Sequence, residues 1–405
     1  MIESLANGDW LTRRRIVAVG WILLGVTLLA LGTLWLGSHG TLDSAGRPLG
    51  TDFSNVWAAG WMADHGQAAM VWDWPSHYAA QQAAHASKTV PFYGWHYPPP
   101  FLLVAALLAQ FPYLAALLLW EAGTSVAALL LVQRIVPGPT TRLLALAAPA
   151  GFICLTHGQN GFLTAGLLGG GLLLLERRPW VAGLLLGALV YKPQFGILLP
   201  LVLLVHRDRR AFLAAAAASL ALIALTLLLW GWPVWEAFRA SLPLTRDVVI
   251  EQGGTGWEKI QSAFSAARDW GAPVAAAYLI QSIVTVAALV GALAATWRAA
   301  PPVRNATVMA AALLSTPYVL DYDLVVLAVA VAFLVADGEA RGWLRWEKSL
   351  LAAAYLIPLV ARTIMAATHV PIGLFSIVAL IVLALRRGWR FDGLRLPVRA
   401  SPSRR

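Results

Sequence analysis

Residues 16–37, IVAVGWILLGVTLLALGTLWLG, contain no charged side chain. About 20 such residues are what a helix needs to cross the hydrocarbon core of a bilayer. Twelve more apolar segments follow, at 98–111, 113–135, 141–156, 160–175, 180–191, 195–206, 211–230, 273–297, 305–319, 323–336, 349–366 and 372–386. Soluble chains carry about 25% charged residues, whereas this one, of 405 residues, carries 12% and is 59% hydrophobic. Backbone polar groups in lipid must be satisfied within the segment, so the fold class is an all-α polytopic membrane protein with 1–405 as one integral-membrane domain. Several segments fall short of a full span, which predicts half-spans and broken helices.

Basic residues orient such a chain. "TRRR" (12–15), "ERR" (176–178), "HRDRR" (206–210), Arg298 with Arg304, Arg341 with Arg345 and Lys348, and a basic tail at 387–405 read as cytoplasmic, with Arg134 and Arg142. Both termini then lie inside, which requires an even number of crossings. Thirteen segments are one too many, and 98–111, short and bounded by prolines, is expected to re-enter or lie in the interface. About twelve transmembrane helices remain, with the cytoplasmic (inner) membrane as the expected location. The net charge of +10 is cytoplasmic-loop lysine and arginine facing anionic lipid, and calls for no nucleic-acid partner. The single cysteine, Cys154, permits no internal disulfide. The first apolar run lacks a small-residue cleavage site at its end, so a retained helix is expected.

Two outside loops are long, 38–97 and about 231–272. In the first, Phe53, Val56, Trp57, Gly60 and Trp61 recur at helical spacing and predict an interfacial helix. A second helix is expected from Pro75, carrying Tyr78, Gln81, Gln82 and His85.

The unusual polar residues near span ends are Asp52, His96, His157, Gln159, Asn160, Lys192, Gln194, Asp321, Tyr322 and Asp323. On this topology all fall on the outer side, as expected of groups lining one aqueous cavity. "GWHYPPPF" (94–101) enters the membrane abruptly, "THGQNGF" (156–162) is a tight polar turn, "VYKPQFG" (190–196) a broken hairpin with a lysine at its tip, and "TPYVLDYDL" (316–324) sets two acids two residues apart.

The stretches "DFSNVWAAGWM", "YPPPFLL", "HGQNGFLTAGLL", "ERRPWVAGLLLGALVYKPQFGILLPL" and "WEKIQSAFSAARDWGAP" resemble glycosyltransferase family 87, integral-membrane enzymes of the GT-C fold, in order from about residue 50 to 330. The GQN and YKPQ turns are the most specific part. The resemblance implies a polyprenyl-phosphate sugar donor, often mannose, used on the outer side of the cytoplasmic membrane. It also implies a catalytic acid in the first outside loop, where Asp52 matches. Mycobacterial mannosyltransferases of the family carry adjacent histidines in the loop aligned with 316–324. Tyr322 and Asp323 stand at that place, a departure that bears on acceptor and sugar.

The chemistry needs little. A polyprenyl phosphate is already a good leaving group, so one carboxylate suffices to take the acceptor's proton. Direct displacement inverts the anomeric centre through an oxocarbenium-like transition state, and a cation stabilises the departing phosphate. Asp52 is the expected base; its competing role is a helix N-cap, and Asp43 is the rival acid. Lys192 is the expected phosphate clamp, against a snorkelling lysine. Gln159, Asn160, Gln194, His96 and His157 are candidates for donor sugar and phosphate, against helix caps and interfacial histidines. Asp321, Tyr322 and Asp323 form an acceptor or second polar site. Asp321 and Asp323 alone are too few for a divalent cation, so no metal or other cofactor is expected. Trp57, Trp61, Trp72, Trp74 and Tyr93 either stack on sugar or anchor at the interface, and Glu121, inside a span, has two readings, a paired charge or a loop-end residue. The expected partners are the polyprenyl-phosphate sugar, a lipid or glycan acceptor, and the bilayer. The rivals are a transporter or flippase of lipid-linked sugars, which predicts inverted repeats with discontinuous helices at mid-membrane, and a non-catalytic membrane scaffold.

Overall fold

The computed structural model describes residues 2–392, and among them the chain is helical, with isolated bridges in place of strands. Five helices are long and apolar enough to cross a membrane: Arg13–Leu36, Tyr113–Ile135, Arg209–Trp230, Val274–Arg298 and Ile372–Asp392. Two further spans are bent pairs, Pro139–Leu146 with Pro149–His157 at 43° and Glu347–Leu359 with Ala361–Thr368 at 76°. Their breaks fall at Pro149 and just after Pro358, where a ring replaces a backbone donor. Gly161–Leu174, Pro179–Tyr191 and Pro193–His206 are shorter apolar helices. This is a multi-pass membrane protein. Its peripheral helices turn Trp21, Ile22, Leu29, Leu220, Leu228 and Ile283 outward, as lipid-facing surfaces do.

Pro301–Leu314 is sheathed on all sides, with Val303 through Leu314 all buried. It packs against Val274–Arg298, Leu324–Arg341 and the helix Ile372–Arg387. From Val308 to Leu314 it is apolar around its circumference, as expected of the occupant of such a centre, while Arg304, Asn305 and Thr307 are buried with it. The span was expected at 305–319, and it begins earlier because Pro301 opens its first turn.

Segment 98–111 forms Pro99–Ala109, 11 residues and thus about 16 Å long, half a bilayer core. Both its ends meet the first long loop. Trp72 Nε1 donates to the Tyr97 carbonyl at 3.1 Å, and Trp57 Nε1 donates to the Phe111 carbonyl at 2.9 Å. The helix's partner is Phe53–Asp64, which crosses it closely: a Cβ added at Gly60 would lie 2.0 Å from the Ala105 carbonyl oxygen. Nine of the 12 residues of Phe53–Asp64 are buried, so this expected interfacial helix lies inside the protein, with Trp57 and Trp61 at its rim. The second loop helix spans Trp74–Ala84, capped by Asp73 accepting from Ser76 N–H.

The connections sort onto two ends of the bundle. One end gathers 47–55, 91–98, 157–160, 191–194, 245–260 and 316–323 around a cavity. The other end joins paired charges. Arg304 is 3% exposed and donates to Glu176, and Arg387 is 1% exposed and donates to Asp337 and Glu347, both at 2.6 Å. Arg341 reaches Asp337 and Asp392. These arginines were expected as free loop and tail charges facing lipid. Arg304 and Arg387 are internal, because acids from other segments neutralise them there, and Arg341 is partly exposed. The basic tail of 387–405 correspondingly begins with a buried residue, and its stretch 393–405 lies outside the described residues.

Candidate active site

The turn Gly50–Asp52 and the turn His157–Asn160 nest against each other. Gly158 stands at φ +61°, and a Cβ there would lie 2.5 Å from the Phe53 Cβ. Only glycine meets both demands. The contact is tied by Asp52 N–H donating to the His157 carbonyl at 3.1 Å.

Asp52 stands at the N-cap position of Phe53–Asp64, but its backbone is αR (φ −72°, ψ −21°) and its side chain makes no capping bond. The capping role is therefore unfilled. The carboxylate instead accepts from Gln159 Nε2 at 2.7 Å, while Tyr97 donates its hydroxyl to Gln159 Oε1 at 3.1 Å. That second bond orients the amide so that its NH2 faces the acid. The rival, Asp43, is committed elsewhere: its Oδ2 accepts from Arg47 Nε at 2.9 Å and its Oδ1 from the Ala45 and Arg47 N–H groups. Burial alone would raise its pKa, but these bonds hold it below the ordinary aspartate value.

Asp52 lines a cavity of about 690 Å³, within the usual range for a small-ligand site. Of the residues singled out in the sequence, His96, His157, Gln159, Lys192, Gln194, Asp321 and Tyr322 line it too. Asn160 and Asp323 lie behind the wall, 1% exposed each. His96 Nδ1 bonds Thr245 Oγ1 at 3.0 Å, and burial depresses its pKa to about 4, so it is neutral at pH 7. His157 donates its Nδ1–H to the Ile153 carbonyl at 2.9 Å. Trp57, Trp61, Trp72 and Trp74 are not part of the cavity wall, whereas Tyr93 is.

Lys192 is not a free cation. Its Nζ donates to Asp323 Oδ1 at 2.6 Å and to Asn160 Oδ1 at 2.9 Å, with 4% of its side chain exposed. The buried pair joins the 190–196 hairpin to the 316–324 turn. The other acid of that turn, Asp321, accepts from Arg362 Nε and Nη2 at 2.7 and 2.6 Å. The two acids thus face two different cations and do not converge as metal ligands. Among the described residues no group of three His, Cys, Asp or Glu side chains has metal-holding geometry.

Three basic residues on the cavity wall were missed in the sequence: Arg47, Lys259 and Arg362. Arg362 was hidden in the apolar segment 349–366, where the 76° bend in the helix pair sets it on the wall.

Residues 95–320 match the sequence profile of glycosyltransferase family 87, more than half the chain. The protein belongs to glycosyltransferase family 87. It is a glycosyltransferase, and uses a sugar donor and an acceptor in a membrane setting. The matched stretch includes the GQN turn, the YKPQ hairpin and the WEKIQS segment; Asp52 precedes it and Arg362 follows it. No curated protein and no solved structure matches the chain.

Proposed function

We propose that this enzyme moves one sugar, mannose on the resemblance described above, from a polyprenyl-phosphate donor to a lipid or glycan acceptor at the outer face of the cytoplasmic membrane, inverting the anomeric centre. Asp52 is the base. The observation that carries this reading is the unoccupied capping role of Asp52: its carboxylate faces a cavity, oriented by Gln159, with no cation paired to it among the described residues. The acceptor hydroxyl gives its proton to Asp52 as its oxygen bonds the anomeric carbon. The anomeric C–O bond to phosphate breaks with its electron pair going to the phosphate, so atoms and charge balance without a cofactor. Gln159, His96, His157, Gln194 and Tyr322 are wall groups that would contact sugar and acceptor. Lys192, with Asp323 and Asn160, anchors the floor, since its charge is already matched.

The topology we propose is a GT-C fold of twelve passes, Pro99–Ala109 being the segment that does not cross. Arg13, Arg178, Arg209, Arg298 and Lys348 lie toward the end away from the cavity, which supports a cytoplasmic placement of that end and an outer cavity.

The test is Asp52→Asn, assayed in detergent with polyprenyl-phosphate mannose and a membrane-lipid acceptor extract. Loss of about 10³-fold in kcat with unchanged thermal stability is expected, the scale of a lost general base. Wild-type turnover by the variant ends the assignment.

A further inference from the structure

The motif WEKIQS (257–262) has no role in the chemistry above, although its Lys259 lines the cavity. The structure explains its position. Gln261 N–H donates to the Val319 carbonyl at 2.7 Å, and Ile260 pairs with Leu320 in an isolated antiparallel bridge. The turn Trp257–Lys259 also packs on Ala361–Thr368, the helix that carries Arg362. Lys259, Asp321 and Arg362 therefore belong to one stitched corner.

Arg362 is poised rather than consumed. Asp321, 1% exposed, accepts from Nε and Nη2 through the single oxygen Oδ2 and holds the guanidinium plane, while its Oδ1 accepts from Tyr322 N–H at 3.0 Å. Nη1 has no protein acceptor among the described residues, and the side chain remains 36% exposed. Lys259 makes no ion pair among the described residues. The Thr255 hydroxyl oxygen, on the same loop and the same wall, is buried without a hydrogen-bond partner. A buried orphan hydroxyl is uncommon and needs a partner that the protein does not supply. A fixed guanidinium edge, an unpaired ammonium and an orphan hydroxyl together suit a tetrahedral oxyanion.

We propose that Arg362, positioned by Asp321, forms with Lys259 and Thr255 the site that holds the phosphate of the lipid-linked donor. This rests on the reading of a polyprenyl-phosphate donor. It moves the phosphate from Lys192, whose charge Asp323 already cancels, to a corner of the cavity with cationic donors in excess among the described residues.

The experiment measures binding of polyprenyl monophosphate, without sugar, to the full-length protein in detergent, beside polyprenol and an anionic phosphodiester lipid. Arg362→Gln should weaken binding of the monophosphate at least about tenfold, the scale of one charge-assisted bond, and leave polyprenol unchanged. Arg362→Lys should recover part of the loss. Removing Arg362 leaves Asp321 buried and unpaired, so Lys259→Gln is the second variant; it disturbs no ion pair and should weaken binding several-fold. Equal monophosphate affinity in wild type, Arg362→Gln and Lys259→Gln overturns the site while leaving Asp52 untouched. A loss confined to the phosphodiester lipid also overturns it, by assigning the corner to the acceptor's headgroup. If wild-type protein binds polyprenyl monophosphate no better than polyprenol, the donor reading falls with it. Asp52→Asn should bind monophosphate as wild type does, which separates the two assignments.

Discussion

The two ends of this bundle treat charge in opposite ways. At the closed end every buried cation meets acids directly. Arg387 donates to Asp337 and Glu347 and to the carbonyls of Asp337 and Gly342, and it stacks over Phe391 at 4.9 Å. Each of its three nitrogens has at least one acceptor. At the cavity end, pairing is partial. Among the described residues, Asp52 has an amide where a cation would neutralise it, Arg362 keeps one edge open, and Lys259 faces the cavity without a counter-ion. A cation matched by an acid suits a locked structure, even where single atoms such as Glu347 Oε1 lack a partner, and an unmatched charge suits a site that a charged ligand completes. The same residue types thus do different work, according to whether their hydrogen-bonding capacity is filled by the protein.

The contrast predicts a crossed pattern of mutant effects. Asp52→Asn should remove about 10³-fold of activity without loss of stability. Arg387→Met should do the reverse. It leaves buried Glu347 without its cation and Asp337 with Arg341 alone, and breaking a buried pair typically costs about 3–5 kcal/mol. Thermal unfolding in detergent should shift strongly, while turnover per folded molecule, normalised by size-exclusion recovery, should stay near wild type. A variant that folds normally but turns over slowly would erase the distinction between the ends.

A smaller effect tests how the cavity end is braced. Gly60→Ala brings a Cβ to 2.0 Å from the Ala105 carbonyl, so Phe53–Asp64 must shift against Pro99–Ala109. Overpacking of this kind costs about 1–3 kcal/mol. Because Asp52 sits at the end of the displaced helix, kcat should fall several-fold with little change in donor KM. A fall in stability with unaltered kcat would show that the nested turns at Gly50 and Gly158 hold Asp52 without help from the crossing.

What was readable in the sequence follows from where the backbone breaks. Asp52, Gln159, Lys192 and Asp321 all interrupt or flank apolar runs, and polar residues at such breaks stand out against their neighbours. The structure brings these four to one cavity, as was expected of polar residues at the ends of apolar runs. What stayed hidden was pairing. Lys192 looks like a free cation until Asp323, 131 residues away, is folded against it. Arg387 looks like the start of a tail because its acids lie 50 and 40 residues earlier. Arg362 is a lone arginine in an apolar segment, and only the bend of that segment turns it to the cavity. Periodicity and composition report which residues are unusual, whereas long-range partners decide which of them remain available.

The last prediction concerns acid. His77 and His85 are buried in the first long loop, and burial depresses their pKa values from 6.5 to about 3 and about 4. The folded form therefore binds fewer protons than the unfolded form between those values and 6.5. Their contribution to stability is complete above pH 6.5 and is lost as pH falls toward 4, each histidine costing about 1 kcal/mol at pH 5.5. At the closed end the window differs. Burial opposes the charge of Glu176, but bonds to His206 and Arg304 outweigh it and lower its pKa to about 2. Its contribution holds above pH 4.5 and is lost only as pH falls toward 2. Hydrogen exchange at pH 7 and 5.5, corrected for intrinsic rates, should therefore show the 53–98 segment opening more readily at the lower pH while the 172–178 and 301–306 segments keep their protection. Uniform loosening of both ends over that interval would mean that the histidines of the first loop are not what couples its folding to protons.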